Sequence, residues 1–321
     1  MSIRRVDLLT SSAALACASA LGGSRAAAAD LTHVRVSTTM TDDTTVLYYA
    51  LQTGMFKKAG LDVEYIVSKS GSAAAEAVVT GAIDIGKSSL VNLLNAHVRG
   101  IPIELITAGA VYGSKLSPAS SILVGLDSNI NAAKDLNGKT IAVAYLQDFH
   151  SLLARIWVDQ GGGDSKTVKF LEIPDSAQGA SVIAHRVDAC LLQEPALSIA
   201  LKTKQLRAFP LTSMNLGAFL YSAWFAKTDW AAKHSDIVDA FTRVMSASSA
   251  YTNAHQDQTA KMMAQATGVT VDSVLAMQRL RSATTLDAAN VQPMIDASAR
   301  YGLLPQAFPA SDMIYVSPAR R

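Results

Sequence analysis

The segment SKSGSAAAEAVVTGAIDIGKSS, residues 68–89, limits the fold more than any other stretch of the chain. The run VEYIV at 63–67 predicts a strand that ends in the small polar turn 68–71. An alanine-rich helix is expected from about Ser72, stopping at Gly81. A buried strand is expected over 82–86, opening through Lys87, Ser88 and Ser89 into another helix. Two helix N-termini then follow two strand ends, each with free backbone N–H groups beside serine hydroxyls. Such a place can hold a small ligand.

The same rhythm continues on both sides. A strand at 33–37 leads through the polar loop TTMTDDTT into a helix at 45–52, which continues past Gly54 to Gly60. Strands are also expected at 103–108, 121–124, 140–144, 168–173, 187–192 and 219–226, with helices at 92–100, 150–160 and 177–185. His97 and His185 fall on these helices. Strands alternating with helices predict the α/β class with doubly wound, mostly parallel sheets. Ligands of such sheets sit beyond the carboxyl ends of strands, here the loops 38–43, 68–72 and 87–89. The connection VYGSKLSPAS at 111–120 marks a crossing into a second lobe near Ser117, and the strand at 219–226 leads back. This gives 30–117 with 227–321 as lobe one and 118–226 as lobe two. From Asp229 onward the pattern is helical, read as a layer packed on lobe one. The glycines at 161–163 follow a helix, so they read as a C-cap and not a phosphate loop.

Residues 1–29 read as a secretory leader. Arg4-Arg5 is the basic start, 8–21 the apolar stretch, and Ala27-Ala28-Ala29 the cleavage site. Removing its three arginines and one aspartate leaves 25 basic and 25 acidic residues. A neutral chain with 6% aromatic residues offers no field or stacking surface for nucleic acid or an anionic membrane. Cys190 alone remains after cleavage; within VDACLL it reads as a small buried strand residue. The six histidines lack metal-ligand spacing, and HExxH, GxSxG and GxGxxG are absent. No catalytic residue, metal or cofactor is therefore expected. Asp42-Asp43 reads as a helix cap or a cation-attracting pair. His150 has two readings: a first-turn residue under a cap from Asp148, favoured by spacing, or a ligand contact from lobe two.

Five segments carry a resemblance: ALQTGMFKKAGLDV at 50–63, AVVTGAIDIG at 77–86, KDLNGKTIAV at 134–143, ASVIAHRVDA at 180–189 and Gln193-Glu194-Pro195. In this order and spacing the chain resembles the periplasmic substrate-binding proteins of ABC importers, in the nitrate/sulfonate/taurine group with its pyrimidine-synthase-like relatives. The resemblance implies a two-lobed type II binding fold with two crossover strands. A small ligand would be trapped between the lobes by hinge closure. The chain would be a periplasmic monomer, cleaved near Ala29, working with an ABC permease of the inner membrane and not acting as an enzyme. Family ligand contacts carry over to Thr39, Met40, Thr41 and Asp42, to Ser70, Gly71 and Ser72, and to Ser88 and Ser89. In lobe two they carry over to Tyr145, Gln147, Asp148, Phe149 and His150, and to Glu194. His150 matches a position where sulfonate binders carry histidine.

One departure shapes the ligand expectation. The turn before His150 is YLQDF, where sulfonate binders have small residues. Asp148 would repel a sulfonate unless it pointed into its own helix. Lys69 and Lys87 are the nearby cations of the first-lobe loops. The ligand is therefore expected to join an apolar or aromatic body to one polar or acidic end: a sulfonate, an aromatic carboxylate or a pyrimidine-like compound. Two alternatives stand beside import. One is a precursor-synthase-like enzyme on this fold, whose relatives carry a cysteine-rich segment. The other is a ligand-sensing subunit for a membrane kinase.

Overall fold

The computed structural model describes residues 31–112, 119–211 and 217–318. The expected leader and the expected crossing at Ser117 lie outside the described residues.

The chain begins with β1 (Thr32–Thr38), α1 (Thr45–Gln52), α2 (Met55–Lys58), β2 (Leu61–Val67), α3 (Gly71–Val79), β3 (Ile85–Ser89), α4 (Leu90–Val98) and β4 (Ile103–Ala108). A short strand β5 (Ala110–Tyr112) follows. Next come β6 (Ser120–Gly125), β7 (Thr140–Val143), α5 (Phe149–Gln160), β8 (Lys169–Glu172), α6 (Asp175–Ile183), β9 (Ala189–Gln193), α7 (Ala196–Leu201) and β10 (Leu206–Pro210). The chain returns through β11 (Phe219–Leu220) and β12 (Ser222–Lys227). It continues with α8 (Thr228–Lys233), α9 (Ser235–Ala254), α10 (Gln256–Thr267), α11 (Val271–Ala276), β13 (Arg281–Ser282) and α12 (Ala288–Arg300).

Two five-stranded sheets result, ordered β2-β1-β3-β12-β4 and β10-β6-β9-β7-β8. In the first, β1 pairs parallel with β2 and β3, while β12 runs antiparallel between β3 and β4. In the second, β7 is parallel to β8 and β9, and β6 is antiparallel to β9 and β10. Both sheets are thus mostly wound by β-α-β units with one reversed strand each, as the alternating pattern predicted. The three-stranded sheet β11-β5-β13 joins the outgoing chain, the returning chain and the C-terminal segment. By sheet membership the chain has rejoined the first sheet by β12, before the return expected at 227.

The core follows these layers. Val34, Val36, Leu47, Phe56, Ile85, Trp224 and Phe241 pack one face of the first sheet against α1 and α9. A second cluster runs from α4 (Leu90, Leu93, Leu94) to α5 (Leu152, Leu153) without interruption. Leu123, Ala142, Val182, Cys190 and Leu192 fill the other face of the second sheet. There Cys190 is fully buried, and burial pushes its thiol up to about 12, so it stays neutral.

Several expectations need correction. The third strand is Ile85–Ser89, not 82–86. The Asp84 carboxylate accepts from the Arg35 backbone N–H at 2.8 Å and from its guanidinium at 2.7 and 3.0 Å. That side chain ties down the approach, and the ladder starts one residue later with Val36 opposite Ile85. Lys87 and Ser88 are consequently strand residues, and α4 starts at Leu90. His185 lies beyond the end of α6 in a left-handed turn with φ of 55°. The expected strand at 219–226 is broken at Tyr221, whose N–H donates to Ala110 and whose carbonyl accepts from Leu90. Strands β5, β10 and β13 were not expected; each lies at a sheet edge or in the small joining sheet and has a short or polar sequence.

Candidate functional site

The C-terminal ends of β1, β2 and β3 and the loops after β7 and β8 converge on a cavity of about 230 Å³. The first sheet contributes Thr39, Thr41 and Asp43 after β1, Lys69, Ser70 and Gly71 after β2, and Lys87, Ser88 and Ser89 in β3. The second contributes Ala144, Tyr145, Asp148, Phe149 and His150 after β7, and Asp175 after β8. Asn92 of α4, Tyr221 and Ser222 complete the wall.

On the first side, two helix starts are fixed by serines. Ser70 caps α3, its hydroxyl accepting from Ala73 N–H at 3.1 Å. Ser89 caps α4, accepting from Asn92 N–H at 3.4 Å. A side chain at Gly71 would meet Ser88 Oγ at 2.3 Å, so only glycine lets the first turn of α3 approach β3 this closely. The N-terminal ends of α3 and α4 therefore meet at the cavity, a favourable place for partial negative charge.

Beneath them lies a buried ion pair. Lys87 Nζ is 2.6 Å from Asp43 Oδ1, with the side chains 3% and 1% exposed. Asp43 also accepts from Thr41 Oγ1 at 2.6 Å and Ser222 Oγ at 2.7 Å, and Lys87 donates to Thr44 Oγ1 at 3.1 Å. Burial alone would raise the Asp43 pKa; Lys87 and the two hydroxyl donors outweigh it and hold the carboxyl below its ordinary range. The neighbouring Asp42 turns the other way. Its carboxylate accepts from Arg279 and from Leu280 N–H, and is 1% exposed. The acidic pair is thus a cation-attracting pair, each member on its own partner.

On the second side, Asp148 caps α5: Oδ1 accepts from Ser151 N–H at 2.9 Å. Oδ2 lies 3.6 Å from His150 Nδ1, and His150 Nε2 is 3.0 Å from Gln193 Oε1. Burial pulls the imidazole pKa down, but Asp148, Asp175 and Gln193 together overcome it and the net shift is upward. His150 is thus held at the cavity wall with its basicity raised by its neighbours. Burial raises the Asp175 carboxyl above its ordinary value, opposed by His150 and reinforced by Asp148. Phe149 and Tyr221, with ring centroids 4.6 Å apart, give this wall an aromatic floor.

Ten of the residues singled out in the sequence meet at this cavity: Thr39, Thr41, Ser70, Gly71, Ser88, Ser89, Tyr145, Asp148, Phe149 and His150. Five lie elsewhere. Met40 is 40% exposed beside it, and Asp42 is committed to Arg279. Ser72 and Gln147 line an adjoining groove of about 430 Å³. Glu194 accepts from the Ser198 hydroxyl at 2.8 Å and its N–H at 3.1 Å, capping α7. Asp175, Tyr221 and Ser222 were not anticipated. Asp175 follows a strand end, so the rule that found the other loops also reaches it. Tyr221 and Ser222 interrupt the apolar run FLYSAWFA with two hydroxyls, which was a readable signal. Among the described residues, no group of three His, Cys, Asp or Glu side chains could hold a metal ion.

Two sheets that face one cavity across their strand ends define the two-lobed periplasmic-binding-protein fold. Residues 41–259 match the family described as NMT1/THI5 like, and the chain belongs to that family. It is similar to the taurine-binding periplasmic protein of Escherichia coli K12, 26% identical over 190 residues, 58% of this chain and 56% of that protein. It is also similar to the formylaminopyrimidine-binding protein of Halalkalibacterium halodurans, 24% identical over 145 residues, 45% of this chain and 42% of that protein. The chain thus matches only about half the length of these curated relatives. The crystal structure of the periplasmic aliphatic sulphonate binding protein SsuA from Escherichia coli superposes with a TM-score of 0.73 at 19% identity, covering 89% of this chain and 92% of that one.

Proposed function

We propose that this protein is the extracytoplasmic solute receptor of an ABC import system and that it traps a small organic acid between its lobes. One observation carries the reading: the serine-capped starts of α3 and α4 and the His150 imidazole, paired with Asp148, face the same cavity from its two sides. A ligand touching both sides would favour the closed arrangement, since only that arrangement gives it both sets of contacts. Asp148 does not argue against an anion, because its carboxylate is directed to Ser151 N–H and His150. Phe149 and Tyr221 supply the apolar wall that an organic body needs. The relatives named for taurine, formylaminopyrimidine and aliphatic sulphonate support this ligand class.

The partner of such a receptor is a membrane permease, and its compartment the periplasm, reached through the leader at 1–29. The receptor would act as a monomer, with lobes bounded near 117 and at the return into β12. No helix among the described residues is long and apolar enough to cross a membrane. A synthase-like activity gains nothing from Cys190, which is buried and has a pKa pushed up to about 12. A sensing role for the same binding event would differ only in its membrane partner.

Thermal unfolding with a panel of sulfonates, aromatic carboxylates and pyrimidines tests the reading. A true ligand at a hundred times its Kd should stabilise the protein by about 2.7 kcal/mol. No shift with any of them, at millimolar concentration, would overturn it.

A further inference from the structure

Tyr221 stands between β11 and β12 on the returning chain and reaches both sides of the cavity. Its carbonyl accepts at 2.8 Å from the N–H of Leu90, the first residue of α4, and its own N–H donates to Ala110 of the outgoing chain at 2.8 Å. The backbone of Tyr221 is therefore fixed against the serine-capped start of α4. Its ring serves the other side, with the centroid 4.6 Å from that of Phe149 and 6.5 Å from that of His150. Gln193 joins the two rings. It is the last residue of β9, is buried, and does not line the cavity. Its Oε1 accepts from His150 Nε2 at 3.0 Å. Desolvation, with Asp43, Tyr112 and Asp148, pushes the Tyr221 hydroxyl well above its ordinary pKa, and a hydrogen bond with Gln193 works against this. A bond that favours the phenolate is one that the amide N–H donates. One amide thus accepts from the imidazole and donates to the phenol.

Resting on the reading of the cleft as an organic-acid site, we propose that Gln193 and Tyr221 are positioning residues that register His150 against the start of α4. The chain of contacts runs from α4 through the Tyr221 carbonyl, ring and hydroxyl to the Gln193 amide and the imidazole. It crosses from one side of the cleft to the other through a single residue of the returning chain. With Nε2 on Gln193 and Nδ1 facing Asp148 Oδ2 at 3.6 Å, both ring nitrogens are committed and the plane of the imidazole is fixed. An acid held from both sides then meets the α4 start and the imidazole at one spacing, set before the ligand arrives. Gln193 acts in this without touching the ligand. The charged groups around the imidazole are Asp148 at the cap of α5 and Asp175 at the start of α6, while Asp43, Lys69 and Lys87 line the opposite wall. All of these stay in place when Gln193 or Tyr221 is altered, so a changed His150 titration reports on the amide.

NMR titration of the His150 ring protons in the ligand-free protein tests the chain of contacts. Gln193→Glu places a carboxylate on the imidazole and should raise its pKa by about one pH unit or more. Gln193→Met removes the acceptor and should lower it; Gln193→Leu serves if Gln193→Met does not fold. Hydrogen bonds in a chain polarise one another, so Tyr221→Phe, which removes the hydroxyl alone, should also lower the His150 pKa. In the Gln193→Met background the same change should leave it in place. Isothermal titration with ethanesulfonate and with benzoate gives the second readout. Tyr221→Phe and Gln193→Met should each weaken binding roughly twofold to tenfold. The double variant should lose no more than the weaker-binding single variant, because one chain is broken once. Losses that add, or a Tyr221→Phe effect on the His150 titration that persists in the Gln193→Met background, would overturn the positioning role alone. Failure of both probes to bind the unaltered protein would overturn the organic-acid reading, and the positioning role with it.

Discussion

The carboxylate of Asp148 decides how the second side of the cleft can treat an anion. By capping α5 and facing His150 it turns from a repulsive group into one that, against the effect of burial, raises the imidazole pKa. A consequence follows for pH. The His150 pKa is raised above its ordinary 6.5, so its stabilising contribution is complete below about pH 6.5 and is lost as pH rises through the folded value. His150→Gln should flatten the decline in stability above pH 6.5, measured by urea unfolding across a pH series; an unchanged slope would show that the fold does not raise the imidazole pKa. Ligand affinity should fall over the same window as the cation discharges. Gly71 makes a second prediction at this scale. Gly71→Ala places a methyl 2.3 Å from Ser88 Oγ, and forcing α3 away from β3 should cost about 1–3 kcal/mol and weaken ligand binding. Calorimetry with and without ligand separates the two effects. Both residues stood out in the sequence, His150 by its place after a strand and Gly71 by its place before a helix. Their pairings did not, because Gln193 is 43 residues from His150 and Ser88 is 17 from Gly71.

At the scale of elements, the loop after β1 is held from two directions. Asp43 ties it to β3 through Lys87, and Asp42 ties it to the segment before β13 through Arg279 and Leu280. Lys87→Met leaves Asp43 buried without its cation and should destabilise the protein by about 3–5 kcal/mol. The double variant Asp43→Leu with Lys87→Met, which removes both charges, should recover most of that loss, as denaturant unfolding of the pair would show. Destabilisation of the double variant equal to that of the single one would mean that the pair does not act as a unit. The same elements show how far patterning reads. The helices and buried parallel strands were legible because their apolar periodicity is long and local. The start of β3 was misplaced because Asp84 answers to Arg35, 49 residues earlier, and no local window contains that contact. Strands β5, β10 and β13 escaped because edge pairing, not an apolar face, holds them in place.

For the whole molecule, the proposed clamp predicts a change of shape. Addition of a saturating ligand should lower the radius of gyration in solution scattering, and His150→Gln should reduce both affinity and the closed fraction. A scattering profile unchanged by a ligand that calorimetry shows to bind would contradict hinge closure. The amino-acid order by itself determined the α/β class, the two runs of β-α-β units and the loops at strand ends where a site could form, because these depend on periodicity and turn chemistry within a few residues. Only the tertiary structure decided which loop residues face the cavity. Thr39 and Thr41 line it while Asp42 turns to Arg279, although all three share one loop. Tyr221 and Ser222 reach the wall from the returning chain, more than a hundred residues away from that loop, because β12 inserts between β3 and β4. The physical reason is that the orientation of a side chain in a loop is set by the partner that satisfies its charge or hydrogen bonds, and here those partners are brought near only when the two sheets and the C-terminal segment have packed.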